Sequence, residues 1–145
     1  MAAAIKKWAL PKPVRRPSAD FEGREQTALM RWLLVRHPEA FELTYHVPNG
    51  GRRDKVTGAK LKAQGVKAGV PDLVLAQARG GYFGLYLEFK ATPPNDAAVS
   101  KEQKQWVHTL TTQGYCAVVC KGMNEAIKEI TCYLSQPLTA QRVAG

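Results

Sequence analysis

Acidic side chains are scarce in this 145-residue chain: 12 Asp and Glu stand against 21 Lys and Arg, a formal net charge of +9 and a pI near 9.7. Such a surface suits phosphates. Basic tails and membrane-surface proteins share the balance, however, so the placement of the charge says more than its sum. Cysteine is also sparse. Cys116, Cys120 and Cys132 are odd in number and apolar in context, which argues against a disulfide framework and leads us to expect buried, reduced thiols of a cytosolic protein. Cys116 and Cys120 have no companion Cys or His at zinc-site spacing. No apolar run reaches the ~20 residues of a transmembrane helix, and Met1-Ala-Ala-Ala-Ile-Lys-Lys has the wrong order for a secretory signal. The lack of a Walker Gly-Lys-Ser/Thr argues against nucleotide hydrolysis. His37, His46 and His108 are unconnected in sequence, and Trp8, Trp32 and Trp106 do not interleave with basic residues as a base-stacking platform would. No internal repeat is visible.

What the chain does have is enough length for one domain with a proper core. Residues 1–19 form a basic arm with Pro11, Pro13 and Pro17 and no acid, expected to be extended. The domain then runs over 20–136, with an uninformative tail at 137–145. From Asp20 the periodicity is helical, with Leu29, Trp32 and Leu33 on one stripe and Pro38 as the stop. Phe41 to Val47 reads as a strand, and Lys55 to Gln64 as a weak basic helix. Ser100 opens a helix carrying Trp106, Val107 and Leu110, which Gly114 closes. Tyr115 to Cys120 is a further strand, and Asn124 is expected to cap a last helix with Ile127, Ile130 and Leu134 facing the core.

Between these lie two short β-prone runs, Gly69-Val-Pro-Asp72-Leu-Val-Leu-Ala and Gly84-Leu-Tyr-Leu-Glu88-Phe-Lys90-Ala, separated by Arg79-Gly80-Gly81, a good turn for antiparallel strands. A hairpin centred on Gly80 pairs residues whose numbers sum to 160, so Asp72 falls opposite Glu88. Directly opposed residues have Cβ atoms roughly 4.5–5.5 Å apart, close enough for two carboxylates to share a divalent cation. Lys90 shares the face of Glu88. Leu73 and Leu75 lie opposite Leu87 and Leu85 on the other face and give the register an apolar reason to hold, although a bulge at the turn would slip it by one. Two acids with a neighbouring lysine suit metal-dependent phosphodiester chemistry: Mg²⁺ takes oxygen ligands, activates water and neutralises phosphate charge, and an ammonium can orient the water or stabilise pentavalent oxygens. A solvated hairpin with an ordinary acid–lysine pair is the plainer alternative, but these strands are otherwise apolar, a costly setting for unpaired carboxylates.

Pro71-Asp72 followed by Glu88-Phe89-Lys90 resembles the PD-(D/E)xK nuclease signature, and the wider text resembles its VRR-Nuc branch, the virus-type replication-repair nuclease domain. The supporting blocks are Glu22-Gly-Arg-Glu25-Gln26-Thr-Ala-Leu-Met-Arg-Trp32, His46-Val-Pro-Asn49-Gly50-Gly51-Arg52, Gly65-Val-Lys-Ala-Gly-Val-Pro71-Asp72, Gly84-Leu-Tyr-Leu-Glu88-Phe-Lys90 and Ser100-Lys-Glu-Gln103-Lys-Gln-Trp106. The resemblance implies a Mg²⁺- or Mn²⁺-dependent endonuclease in which Asp72, Glu88 and the Phe89 carbonyl are metal ligands and Lys90 is the catalytic lysine. It also implies that one glutamate of the first helix faces the metal. Glu22 is favoured over Glu25 because Glu22-x-x-x-Gln26 fits the family's spacing, while acids in a first turn also complement the helix dipole with no further role. Gln103 has two readings: the capping partner of Ser100, or a polar group aimed at the scissile phosphate or bound water.

The expected architecture is an α/β sandwich around a four-stranded mixed sheet flanked by helices, with a parallel crossover from Glu88-Phe89-Lys90 through the Ser100 helix. The nuclease resemblance implies the same fold. Arg52, Arg53, Lys55, Lys60, Lys62 and Lys67 stand against Asp54 alone just before the proposed metal site, where a nucleic-acid backbone would need them. Asn49-Gly50-Gly51-Arg52 could wrap phosphate with backbone N–H groups, or be a plain turn. The functional expectation is a structure-specific DNA endonuclease in a viral or bacterial cytoplasm, cutting four-way (Holliday) junctions as a homodimer. Flap, nick or duplex cutting is the competing enzyme reading, and a non-catalytic basic DNA-binding module the competing class.

Overall fold

A computed structural model describes residues 19–49 and 54–140. Most of the expected basic arm (1–18), the loop 50–53 with Arg52 and Arg53, and the tail end 141–145 lie outside the described residues. Helix α1 (Phe21–Arg36) starts where Asp20 accepts a bond from Gly23 N–H at 2.9 Å, and it buries Leu29 and Leu33. Pro38 ends it as expected, but then opens a second short helix, α2 (Pro38–Glu42). Its fixed φ and missing N–H suit a first helical position. The strand expected over Phe41–Val47 therefore shrinks to β1 (Thr44–His46), with Phe41 packed on the core from α2. Helix α3 (Lys55–Ala63) follows, capped by Asp54 and burying nothing.

The hairpin holds the expected register. Strands β2 (Leu73–Leu75) and β3 (Leu85–Lys90) pair antiparallel, Leu73 with Leu87 and Leu75 with Leu85. At the turn, Gly80 and Gly81 both have positive φ and Tyr82 N–H bonds the Arg79 carbonyl at 2.9 Å, the requirement of a hairpin turn that only glycine meets without strain. The first tail residues bind this turn: Gly80 N–H donates to the Pro137 carbonyl and Thr139 Oγ1 to that of Tyr82.

Helix α4 (Lys101–Thr112) then crosses to β4 (Cys116–Lys121), which pairs parallel with β3 and completes a sheet of order β1-β2-β3-β4. Helix α5 (Met123–Leu134) is the last helix among the described residues. Its cap is Gly122, not Asn124. The first-turn N–H of Met123 is met instead by the Glu25 carboxylate of α1, at 3.2 Å, so a tertiary contact does the work expected of a local cap. Leu29, Leu33, Leu73, Leu75, Leu85, Leu87, Phe89, Cys120 and Ile130 form the core between the sheet and helices α1 and α5. Cys120 is fully buried, its thiol pushed up to about 12 by that burial. Cys132, contrary to expectation, is exposed.

On the opposite face α4 is docked against the segment leading to Asp72. Trp106 Nε1 donates to the Ala68 carbonyl at 3.0 Å. Gly69, at φ +81°, lies so close that a Cβ there would sit 2.7 Å from the Glu102 backbone. Gly69→Ala should therefore lower stability by about 2 kcal/mol or more, from the positive φ and the steric conflict together, measured by urea denaturation. An unchanged midpoint would show that the segment does not need this close approach.

Candidate active site

Asp72 sits one residue before β2, beyond the regular ladder, and Pro71 before it has no N–H to give. Its Oδ2 accepts the Phe89 N–H at 2.8 Å, so a side chain completes the pairing that the strand abandons. The carbonyls of Gly84, just before β3, and of Lys90, its last residue, accept from Cys116 and Gly122 on the β4 side. A residue of a strand points its N–H and C=O to the same edge, so the Phe89 carbonyl faces away from β4, on the side of Asp72.

Glu88 is wholly buried. Lys90 Nζ lies 2.8 Å from its Oε1, and the Gln103 amide nitrogen donates to the same oxygen. Oε2 is buried with no hydrogen-bond donor among the described residues. Burial, with the Asp72 carboxylate adding to it and Lys90 opposing, pushes the Glu88 carboxyl up to about 7. For Lys90 burial works toward the neutral amine, but Glu88, Glu22 and Asp72 more than offset it and hold the ammonium above its usual range. The capping reading of Gln103 holds, and its amide is turned to Glu88. Its Oε1 accepts the Ser100 N–H at 2.8 Å while Ser100 Oγ accepts the Gln103 N–H at 3.2 Å. The capping box thus fixes the amide so that its NH₂ end meets Glu88.

The two glutamates of α1 separate cleanly. Glu25 is committed elsewhere: Thr92 N–H and Oγ1–H donate to it at 2.9 and 2.7 Å, in addition to Met123. Although burial alone would raise it, these bonds hold Glu25 below the usual carboxylate range. Glu22 lines a cavity of about 360 Å³ with Asp20, Gly23, Gln26, His46, Pro48 and Asp72. Burial raises its carboxyl, Lys90 counteracts, and Asp72 adds to the rise. His46 and Gln26 belong to this wall and were not singled out from sequence as site residues. The only signal was their place in the quoted blocks, with Gln26 one turn after Glu22.

Asn49 Nδ2 donates to the Val70 carbonyl at 2.7 Å, so its side chain braces the approach to Asp72. Lys62 and Lys67 line a neighbouring concavity of about 500 Å³, and Lys55 and Lys60 lie on the same exposed helix α3. Asp54, the acid of this run, is spent on capping α3 through Thr57.

The VRR-NUC domain, as a family model, matches residues 20–124. The chain belongs to the VRR-NUC family. A solved structure described as a VRR_NUC domain protein is similar at 31% identity with a TM-score of 0.70, over 85% of this chain and 97% of that one. No curated protein matches. The VRR-NUC family is of nuclease type, which makes DNA the substrate class and suggests use of a divalent metal. No helix among the described residues is long and apolar enough to cross a membrane.

The residues present fit such a cation. Among the described residues no group of three His, Cys, Asp or Glu side chains is arranged to hold a metal. The candidate set is two carboxylates, Asp72 and Glu88, with the Phe89 carbonyl, all hard oxygen donors of the kind Mg²⁺ accepts alongside water. Oε2 of Glu88 has no donor among the described residues, and the adjacent Asp72 carboxyl adds to the rise of the Glu88 carboxyl.

The raised Glu88 carboxyl has a stability consequence in the metal-free protein. Between its ordinary value and about 7 the folded state holds a proton that the unfolded chain releases, so stability falls as pH rises through that window. Relative to Glu88→Gln, the wild type in EDTA should lose roughly 1–3 kcal/mol between pH 4.5 and 7.5, read from denaturation midpoints. Parallel pH profiles for the two proteins would refute the assignment.

Proposed function

We propose that this protein is a metal-dependent, structure-specific DNA endonuclease that cuts four-way junctions as a homodimer. The observation that carries the catalytic part is Glu88: a buried carboxylate with one oxygen held by Lys90 and Gln103 and the other without a donor among the described residues, next to Asp72. A basic module that only bound DNA would have no use for so costly an arrangement.

Asp72, Glu88 and the Phe89 carbonyl would hold Mg²⁺ or Mn²⁺, which when bound supplies Lewis-acid neutralisation of phosphate charge and a water of lowered pKa. Lys90 contributes a permanent positive charge beside that position, suited to orienting the attacking water and to stabilising the oxygens of the pentavalent transition state. Gln103 presents a fixed amide donor to the same spot. Glu22 closes the acidic wall from α1, and the raised carboxyl makes it a candidate to share protons with ordered water. Lys55, Lys60, Lys62 and Lys67, with Arg52 and Arg53 of the same run, would track the phosphate backbone.

Labelled duplex, flap and four-way junction should be cut only with Mg²⁺ or Mn²⁺ present, the junction fastest. Asp72→Ala and Glu88→Ala should abolish cleavage with junction binding largely intact, since affinity comes from the basic surface. Lys90→Ala should cost on the order of 10²–10³-fold in rate, and Lys90→Arg should not restore it, because a planar guanidinium does not replace a compact ammonium. Wild-type cleavage by Asp72→Ala would end this reading of the hairpin.

Resolving a junction needs two symmetric cuts, and each chain carries one Asp72–Glu88–Lys90 set. A two-fold dimer is the simplest match. Tyr45, Phe83 and Leu138, 52%, 62% and 70% exposed, leave apolar surface for such a contact. Sedimentation at micromolar protein should give about twice 16.0 kDa, with paired nicks on opposing arms. A monomer making single nicks would instead favour the flap nuclease.

A further inference from the structure

Asp72 must hold its carboxylate on Glu88 although it lies outside the ladder. The pairing of β1 with β2 stops at His46 and Leu73, and Pro71 offers no N–H. Three bonds hold Asp72 past the ends of β1 and β2, one of them the next in-register backbone bond of that pair. The Asp72 carboxylate takes the Phe89 N–H. The Asp72 carbonyl takes the Val47 N–H at 2.8 Å and lies 2.9 Å from His46 Nδ1. A carbonyl only accepts, so this contact is a hydrogen bond in the tautomer that carries the proton on Nδ1. The Gln26 amide nitrogen lies 3.0 Å from the same Nδ1; in that tautomer the amide is turned so that its oxygen is the second acceptor.

His46 is exposed and on an edge strand, so core packing does not explain it. Its ring nitrogen nevertheless reaches inward to two partners. One of them, Gln26, is a turn beyond Glu22 on α1. The chain Gln26–His46–Asp72 thus ties the helix bearing Glu22 to the residue opposite Glu88, across a shared cavity.

We propose that His46 is a positioning residue: its Nδ1–H, steadied by Gln26, fixes the Asp72 backbone so that the carboxylate is preorganised for a divalent cation. The inference rests on reading Asp72 and Glu88 as metal ligands. Partners that orient a ligand from behind are commonly worth 10–100-fold in metal affinity.

The test is Mn²⁺ affinity of the DNA-free full chain, measured by electron paramagnetic resonance of free Mn²⁺, with thermal unfolding as a control of folding. His46→Ala should weaken Mn²⁺ binding roughly 10-fold or more. His46→Asn, whose side-chain amide N–H falls near the place of Nδ1, should stay within about threefold of wild type. His46→Gln, whose amide reaches instead to the place of Nε2, should resemble His46→Ala. Should His46→Ala fail to fold, the order of His46→Asn above His46→Gln decides the matter. Equal affinity in all variants, or rescue by Gln and not by Asn, would overturn the proposal. Wild-type protein that binds no Mn²⁺, or binding unchanged in Glu88→Gln, would instead sink the metal-site reading beneath it.

Discussion

Glu88 has no access to water, and its surroundings are arranged around that fact. An isolated carboxylate in such a place would take up a proton rather than stay charged, and its raised carboxyl shows the tendency. Lys90 on the same strand face and Gln103 from α4 supply the charge and hydrogen bond that keep the ionised form accessible. Removing one partner from a buried pair commonly costs about 3–5 kcal/mol because the other charge is left alone. The three side chains therefore stand or fall together.

Much of the rest of the fold positions this group. The capping box of α4 fixes the Gln103 amide at its carbonyl end, leaving the NH₂ end for Glu88. Gly69 and Trp106 press the helix against the segment before Asp72, and Asn49 braces that segment from the other side. Glu25 bridges the end of β3 to the start of α5. Apart from the capping box, these contacts join segments distant in sequence, so the group is held from several sides without lying wholly on regular structure, as preorganisation requires.

Charge is allocated as carefully. Asp20 and Asp54 cap helices, Asp96 pairs with Lys121, and Glu25 accepts three backbone or hydroxyl donors. Many of the few acids are thus committed internally, which leaves the basic run of α3 and Lys67 largely unopposed beside an acidic pocket. In the proposed function a polyanion would be drawn to the lysines and a cation to the carboxylates. The same separation lets binding and hydrolysis depend on different residues.

The hairpin register was legible because alternating Leu73, Leu75, Leu85 and Leu87 fix which face is buried, and a two-residue period leaves no freedom once the turn is set. From that register Asp72 opposite Glu88, with Lys90 beside it, follows by counting. The capping box of α4 and the helical stripe of Leu29 and Leu33 were readable for the same reason: their signals span a few residues. Other features depended on partners far along the chain. Pro38 stopped one helix and opened another, and the start of α5 was set by Glu25 rather than Asn124. Glu22 and Glu25, three apart on one turn, were assigned to different tasks only by what packs against them. His46 gave no local sign, since its role comes from meeting Asp72 across 26 residues and Gln26 across 20. The sequence by itself determined the hairpin, its register and the acids it opposes, because those follow from short-range periodicity. The tertiary structure alone decided burial, and with it the raised carboxyl of Glu88, the commitment of each glutamate and the clamp on Asp72, because these depend on which distant surfaces exclude water.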